Sequence, residues 1–266
     1  MKRNILLFFL ITLFATFAFL RMYKLAEFVT FLGDQGRDAI IIRNILTLKH
    51  FPAIGPVTSV GQVYLGPFYY YFMAPWLLFS AFDPIGLAYG SAILSMVFLF
   101  LTYLCIRDLF DEITAVTSTV LIGFSSVLIE FARFSWNPNL LPYFAFFTVY
   151  ALVKSIQTSK LKYYLLLGAL LSFSIQLHYL ALFLIPSVAA VLIAYHFINR
   201  SSIKITVRNW LYAAGAFILF SIPLIIFDLR HEFINAKSFA TFFTKSGAPS
   251  GNFINSLHQT MFFFFS

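Results

Sequence analysis

Residues 85–106 read IGLAYGSAILSMVFLFLTYLCI and contain no charged side chain. About 20 apolar residues are what an α-helix needs to cross a bilayer. The whole chain has the same character, since 61% of its 266 residues are hydrophobic, 11% are charged and 36 are Phe. A soluble domain carries roughly twice that share of charge, about 25%. The sequence therefore predicts an all-α, polytopic membrane protein with a single transmembrane domain over residues 1–266.

Seven apolar segments are candidates for crossing the membrane. They cover residues 4–20, 85–106, 113–129, 140–153, 163–176, 179–198 and 210–227. An eighth begins near Met261. The first segment follows Lys2 and Arg3, but it is long for a signal peptide and no small-residue cleavage site follows it, so we expect a retained helix. A bundle of about seven to eight transmembrane helices is thus predicted.

Residues 67–82 are apolar but short, rich in aromatic side chains and interrupted by Pro75, so they either cross the membrane or lie along its surface. The positive-inside rule favours the second alternative, because the short basic loops at Arg107, Lys154 and Arg200 then face the cytoplasm. The outer side would then hold four polar regions: the first outer loop at residues 21–84, the turn at residues 133–139, the break at His178 and the loop at residues 229–260.

The net charge of +8 comes from Lys and Arg residues that are spread over short loops. These residues form no block or stripe of the kind that a nucleic-acid-binding face shows, so nucleic acid is not an expected partner. Orientation in the membrane and contact with membrane lipids explain them better. Cys105 is the single cysteine, which excludes an intrachain disulfide and a cysteine-based metal site.

The first outer loop contains the polar sequence GDQGRD at residues 33–38. Over residues 37–49, Ile and Leu side chains fall on one side of a helix while Asp38 and Arg43 fall on the other, which predicts a helix lying in the membrane interface. Asp34 comes just before that helix. Because charged groups at a membrane edge are costly, a functional role is the default interpretation, but an Asp is also a good N-cap. Both alternatives are open.

Other polar positions also have a functional and a structural interpretation. Tyr69 either stacks on a sugar or belongs to an aromatic belt at the interface. Arg133 either binds phosphate or snorkels at a helix end. His178 either binds a ligand or satisfies backbone groups at a hairpin tip. Arg230 and His231 either bind substrate or pair locally at a helix end.

Five features follow one another along the chain: the acid at Asp34, the helix behind it, GPFYYY at residues 66–71, ARFSWNPN at residues 132–139 and FDLRHEF at residues 227–233. In this order they resemble glycosyltransferase family 39 of the GT-C superfamily, which includes the protein O-mannosyltransferases and the lipid A aminoarabinose transferases. The resemblance implies a GT-C-like bundle that transfers a sugar from a polyprenyl-phosphate donor, with inversion, to a protein, lipid or polysaccharide acceptor. It also implies an active site on the extracytoplasmic side of the plasma membrane, in the cell envelope.

Matched to the family position by position, Asp34 corresponds to the first-loop acid that acts as general base or orients the acceptor. Arg133 corresponds to the arginine of the second outer loop. A few residues later the family usually has an acid, where this chain has Asn137 and Asn139, so the resemblance makes no cofactor certain and leaves a divalent metal open. The candidates on the phosphate side are Arg37, Arg133 and Arg230. The other candidates for substrate binding are Asp38, Tyr69, Asn137, Asn139, His178 and His231.

The alternative function is a secondary transporter or a flippase for lipid-linked sugars, since broken helices and buried polar groups also mark transport pathways. Against it, the middles of the predicted spans are nearly free of ionisable residues, and the charges gather in outer loops. A non-catalytic membrane scaffold is a third alternative. Members of the family are longer, so we expect the chain to be incomplete at its C-terminus, with residues 229–260 as a mobile loop over the site.

Overall fold

The computed structural model describes residues 3–58, 63–199 and 203–245, and within these residues the chain forms twelve α-helices. They are α1 (Arg3–Met22), α2 (Leu25–Phe28), α3 (Gly33–Leu46), α4 (Phe68–Phe79), α5 (Ile85–Leu109), α6 (Glu112–Gly123), α7 (Ser126–Ala132), α8 (Leu141–Thr158), α9 (Leu161–Leu177), α10 (Leu184–Asn199), α11 (Ile203–Arg230) and α12 (Ile234–Lys245). Two 3-10 turns, Asn137–Leu140 and Tyr179–Phe183, precede α8 and α10. The predicted all-α architecture is confirmed, and the protein is an integral membrane protein.

Four helical segments are long and apolar enough to cross a membrane: Asn4–Met22, Ile85–Leu109, Asn137–Thr158 and Val207–Arg230. The helices α6 and α7 are bent by 65° at their junction and make a fifth span if they are counted together. The two remaining segments, α9 with 17 residues and Tyr179–Tyr195, are apolar but shorter. By length, the described chain thus has four or five spans where the sequence predicts seven. The eighth predicted span, near Met261, lies outside the described residues.

The helix α9 lies at the centre of the bundle, packed between α8 and α11. Its close approach to α11 depends on Gly168, because a Cβ there would press against the backbone of Ala213 and Phe217. Small residues at helix contacts are how membrane helices obtain tight packing, since lipid tails leave little hydrophobic drive between helices. The middle of α9 therefore lies directly against α11.

The helix α4 does not have the length of a span, since its 12 residues cover only about 18 Å of a hydrocarbon core that is about 30 Å thick. Its first residue, Phe68, stacks on Phe173 near the end of α9, with ring centroids 4.2 Å apart. Toward its other end, Trp76 lies against Gly90, near the start of α5. Both ends of α4 thus contact the same end of the bundle, which we call the loop end.

The helix α3 begins four residues earlier than the sequence predicts and ends at Leu46 rather than at residue 49. It packs against α4 through Ala39, Ile42 and Ile45, which are buried in the main aromatic core. The sequence predicts Asp38 on the polar side of this helix; that prediction is wrong, because the side chain of Asp38 is fully buried. The register of α3 therefore turns a carboxylate toward the protein interior.

Candidate functional site

A polar cavity of about 180 Å³ opens at the loop end of the bundle. It is lined by Asp34 and Arg37 of α3, by Pro56, Val57, Thr58 and Leu65 of the first outer loop, by Trp136, Asn137 and Pro138 of the turn before α8, and by His178 and Tyr179 after α9. Three of the four polar regions that the sequence predicts on one side of the membrane therefore border the same space. Polar groups from distant parts of the chain converge in a concave site, as they do in ligand-binding pockets.

Asp34 lies in the first turn of α3, where a negative charge is favoured by the helix dipole. It is not the N-cap of the helix: that position is Leu32, whose backbone N–H donates to Oε1 of Gln35 at 2.8 Å. Oδ1 of Asp34 accepts from Nη1 of Arg37 at 2.7 Å, and Oδ2 accepts from Nε1 of Trp136 at 3.1 Å. Its side chain remains 47% exposed, so the carboxylate is both oriented and accessible.

Arg37 joins Asp34 to a second carboxylate that lies behind it. Its Nε and Nη2 both donate to Oδ1 of Asp38, at 2.9 and 2.7 Å. The other oxygen of Asp38, Oδ2, is buried without a hydrogen-bond partner. Burial raises the pKa of Asp38 to about 6, although the guanidinium of Arg37 acts in the opposite direction. Asp38 cannot touch a substrate in this arrangement, whereas Arg37 can.

The turn before α8 holds its polar side chains in place through backbone carbonyls. Asn137 borders the cavity and donates through Nδ2 to the carbonyl of Leu177 at 2.6 Å, which ties the turn to the end of α9. Asn139 donates to the carbonyl of Phe131 in α7 at 2.8 Å and to the carbonyl of Phe134 in the turn at 3.1 Å. Tyr69 is buried and shares a 2.5 Å hydrogen bond with the hydroxyl of Ser135. Asn139 and Tyr69 therefore support the turn from behind and do not line the cavity.

Arg133 lies outside the cavity and binds carbonyls at the C-terminal end of α1. Its guanidinium donates to the carbonyls of Leu20, Arg21 and Tyr23, at 3.1, 3.2 and 2.9 Å. These carbonyls belong to the last turn of a helix, where no intrahelical partner exists. The structure thus gives Arg133 a capping role, in place of the phosphate-side position that the sequence indicated.

His178 borders the cavity at the C-terminal end of α9. Its Nδ1 accepts from the backbone N–H of Leu180 at 3.2 Å, and its ring stacks on Tyr179 with centroids 4.5 Å apart. Burial lowers the pKa of His178, so the ring is neutral at pH 7 and carries its proton on Nε2. A neutral imidazole with a free N–H is a hydrogen-bond donor to a bound oxygen.

The fourth polar region meets the first outer loop beside the cavity through Asn235. Its amide accepts from the backbone N–H of Tyr64 at 2.8 Å and donates to the carbonyl of the same residue at 3.2 Å. The backbone N–H of Asn235 donates to Asp228 at 2.7 Å. Arg230 and His231 are not among the residues that line the cavity, and His231 contacts the carbonyl of Phe227 through Nδ1 at 2.8 Å instead.

Two apolar cavities lie beside the polar cavity, between α9, the segment 179–195 and α11, and together we call them the apolar crevice. Its upper part, about 220 Å³, shares Leu65 and Tyr179 with the polar cavity and includes Ile175 of α9. Its lower part, about 310 Å³, includes Leu171 and Leu167, which follow Ile175 at intervals of one helical turn. The two parts therefore follow one another along α9 from the loop end toward the middle of the bundle.

The charged groups do not fit a metal ion held by protein ligands. Within residues 3–58, 63–199 and 203–245, no three His, Cys, Asp or Glu side chains come close enough together to hold one. The space between Asp34 and Asp38 is taken by the guanidinium of Arg37, which supplies positive charge to both.

The sequence did not indicate Trp136 or Asn235 as part of the site. A Trp inside a polar turn between apolar spans, as in ARFSWNPN at residues 132–139, is the signal that could have identified Trp136. Asn235 carried no local signal, because its role depends on where the first outer loop passes.

The family model of dolichyl-phosphate-mannose-protein mannosyltransferase matches residues 65–227, which is more than half of the chain. Trp136, Asn137 and His178 lie within the matched residues, and Asp34 and Arg37 precede them. Comparisons with curated proteins and with solved structures find no match. The resemblance to glycosyltransferase family 39 is confirmed in its coarse form. The chain belongs to the dolichyl-phosphate-mannose-protein mannosyltransferase family and is a membrane glycosyltransferase of the GT-C type.

Proposed function

We propose that the protein transfers a sugar from a polyprenyl-phosphate donor to an acceptor bound beside Asp34. The observation that carries this proposal is that the polar cavity, which holds Asp34, Arg37 and His178, shares Leu65 and Tyr179 with the apolar crevice along α9. A lipid-linked sugar likewise joins a polar part to an apolar part: it has a charged, hydroxyl-rich head and a long hydrocarbon tail. A soluble donor would have no use for the crevice.

The head group fits the donors of the cavity. Arg37 uses three N–H groups on the two carboxylates and has five in total, so it retains donors for a phosphate oxygen. Nε2 of His178 offers a further N–H. Trp136, which stacks on Phe134 with centroids 6.3 Å apart, presents an aromatic surface at the cavity wall. The tail would lie in the apolar crevice between α9 and α11.

Asp34 supplies the base for a single displacement. The acceptor oxygen or nitrogen bonds to the anomeric carbon, its proton passes to the carboxylate of Asp34, and the bond from that carbon to the phosphate oxygen breaks with its electron pair leaving on the phosphate. Proton transfer to a positioned carboxylate is worth roughly 10²–10⁴-fold in rate. Arg37 stabilises the negative charge that develops on the departing phosphate. One displacement inverts the anomeric configuration.

The sidedness of the site is inferred from the opposite end of the bundle. There Lys154 pairs with Asp108 at 2.9 Å, and Arg107 lies 3.9 Å from Glu112, so the loops after α5 and α8 meet far from the cavity. Basic residues in short loops favour the cytoplasmic side. The cavity would then face the outside of the plasma membrane and act on a protein, lipid or polysaccharide of the cell envelope.

The test compares Asp34→Asn with wild type in membranes that are supplied with polyprenyl-phosphate sugars and with each acceptor class. Glu130→Gln is the matched control, because Glu130 is an exposed carboxylate outside the cavity. We expect Asp34→Asn to lower the turnover rate by about 10²–10⁴-fold while the control keeps the wild-type rate. Equal rates in all three proteins would remove Asp34 from the chemistry. Donor movement across the membrane without transfer would support the flippase alternative.

A further inference from the structure

We propose that Asp38 is a positioning residue that acts through Arg37: its ionised form holds the guanidinium against Asp34, and its protonation releases that hold and limits activity in acid. The inference rests on the proposed function, since it assigns a control to the same site. Asp38 is fully buried and touches no space that a substrate could enter, so any effect on transfer must pass through its neighbours.

The geometry couples the two carboxylates through one rigid group. Arg37 donates hydrogen bonds through Nε and Nη2 to one oxygen of Asp38, and through Nη1 to Asp34. The guanidinium is planar, so fixing two of its N–H groups on Asp38 also fixes the direction of Nη1. The side chain of Arg37 is 35% exposed, and without Asp38 it would have room to turn toward water. Asp38 therefore sets where Arg37 presents its remaining donors.

The surroundings of Asp38 favour protonation of its carboxylate. The titratable groups that face it are Arg37 and Asp34 on α3 and the hydroxyls of Tyr69 and Tyr70 on α4. With Asp34 and Asp38 both ionised, the cluster carries two negative charges against one positive charge. Oδ2 of Asp38 has no partner, so it is the atom where a proton would be accepted. The raised pKa of about 6 places this event within the range of environmental pH.

Trp136 provides a readout that does not depend on transfer, because its indole N–H is bonded to Asp34. The intrinsic fluorescence of the purified full chain in detergent micelles is titrated from pH 8 to pH 4.5 for wild type, Trp136→Phe, Asp38→Asn and Glu130→Gln. Subtracting the Trp136→Phe signal leaves the contribution of Trp136. We expect this contribution to titrate near pH 6 in wild type and in Glu130→Gln, and to be flat in Asp38→Asn.

Turnover measured over the same pH range gives the second readout. In wild type we expect kcat to fall about tenfold per pH unit below the midpoint, whereas Asp38→Asn should have a lower kcat without that acid limb. Asp38→Glu keeps the charge and displaces it by one methylene, so it should move the midpoint of the pH titration. This variant replaces Asp38→Asn in the test if Asp38→Asn does not fold. A Trp136 titration that persists unchanged in Asp38→Asn, or that is absent from wild type, would overturn the proposal. A normal titration without sugar transfer would overturn only the proposed function.

Discussion

Gly168→Ala tests whether the contact between α9 and α11 holds the bundle together. An added Cβ would overlap the carbonyl oxygen of Ala213 and would lie 2.8 Å from its carbonyl carbon and 3.0 Å from the backbone nitrogen of Phe217, whereas ordinary contact begins at 3.4 Å. All three are backbone atoms, so the overlap is relieved only if the helices separate, and interiors packed at crystal density resist such a change. Overpacking of this kind costs about 1–3 kcal/mol.

Gly215→Ala is the matched control, because it makes the same change on α11 where a Cβ meets nothing within 4 Å. At about 2–4 °C per kcal/mol for a domain of this size, Gly168→Ala should lower Tm by about 2–12 °C. Gly215→Ala should leave Tm unchanged or raise it slightly, since Ala favours helix by up to about 1 kcal/mol over Gly. Thermal unfolding in detergent micelles, followed by size-exclusion chromatography, measures both. Equal Tm values for the two variants would refute a close α9–α11 contact.

Three further perturbations test the supports of the site. Arg133→Lys should lower Tm by several degrees in the same assay, because a compact ammonium does not reproduce the span of Nη1 and Nη2 over the three carbonyls at the end of α1, and charge-assisted bonds contribute about 1.5–3 kcal/mol. Asn235→Ala should speed hydrogen exchange at the amide of Tyr64, which donates to Asn235; unchanged exchange would contradict this pairing. The lowered pKa of His178 means that the unfolded chain binds its proton more tightly, so stability should fall as pH drops below about 6.5, and His178→Gln should reduce that fall in Tm measured against pH.

The architecture could be predicted from the sequence because the bilayer imposes one simple requirement. A lipid-facing backbone must satisfy its own hydrogen bonds, so each long apolar run such as residues 85–106 becomes a helix. The start of α3 could not be predicted in this way. Gly33 and Gly36 are weak helix formers, yet the helix includes both, since Gln35 binds the backbone of Leu32 and Trp136 binds Asp34. One of these contacts comes from more than a hundred residues away.

The burial of Asp38 could have been predicted from the spacing of residues in the sequence. Asp38, Ile42 and Ile45 are spaced by four and three residues, so helical periodicity places them on one face. The charge of Asp38 favours the opposite face only if a buried carboxylate would have no partner. Arg37, the adjacent residue, supplies the partner through Nε and Nη2. A charged residue within an apolar stripe is therefore better interpreted together with its neighbours.

The turn before α8 also explains why the site has only one accessible carboxylate in the described chain. Asn137 and Asn139 stand where the resemblance to the family implies an acid, and both amides donate hydrogen bonds to backbone carbonyls. An Asp at either position would bring a carboxylate oxygen against a carbonyl oxygen, with no donor between them, in surroundings where both side chains are buried. The fold of the turn thus requires amides, and charge balance in the cavity depends on Asp34 and Arg37. A reaction that needs one base and one cation for a departing phosphate is consistent with that arrangement, whereas one that needs a pair of carboxylates is not.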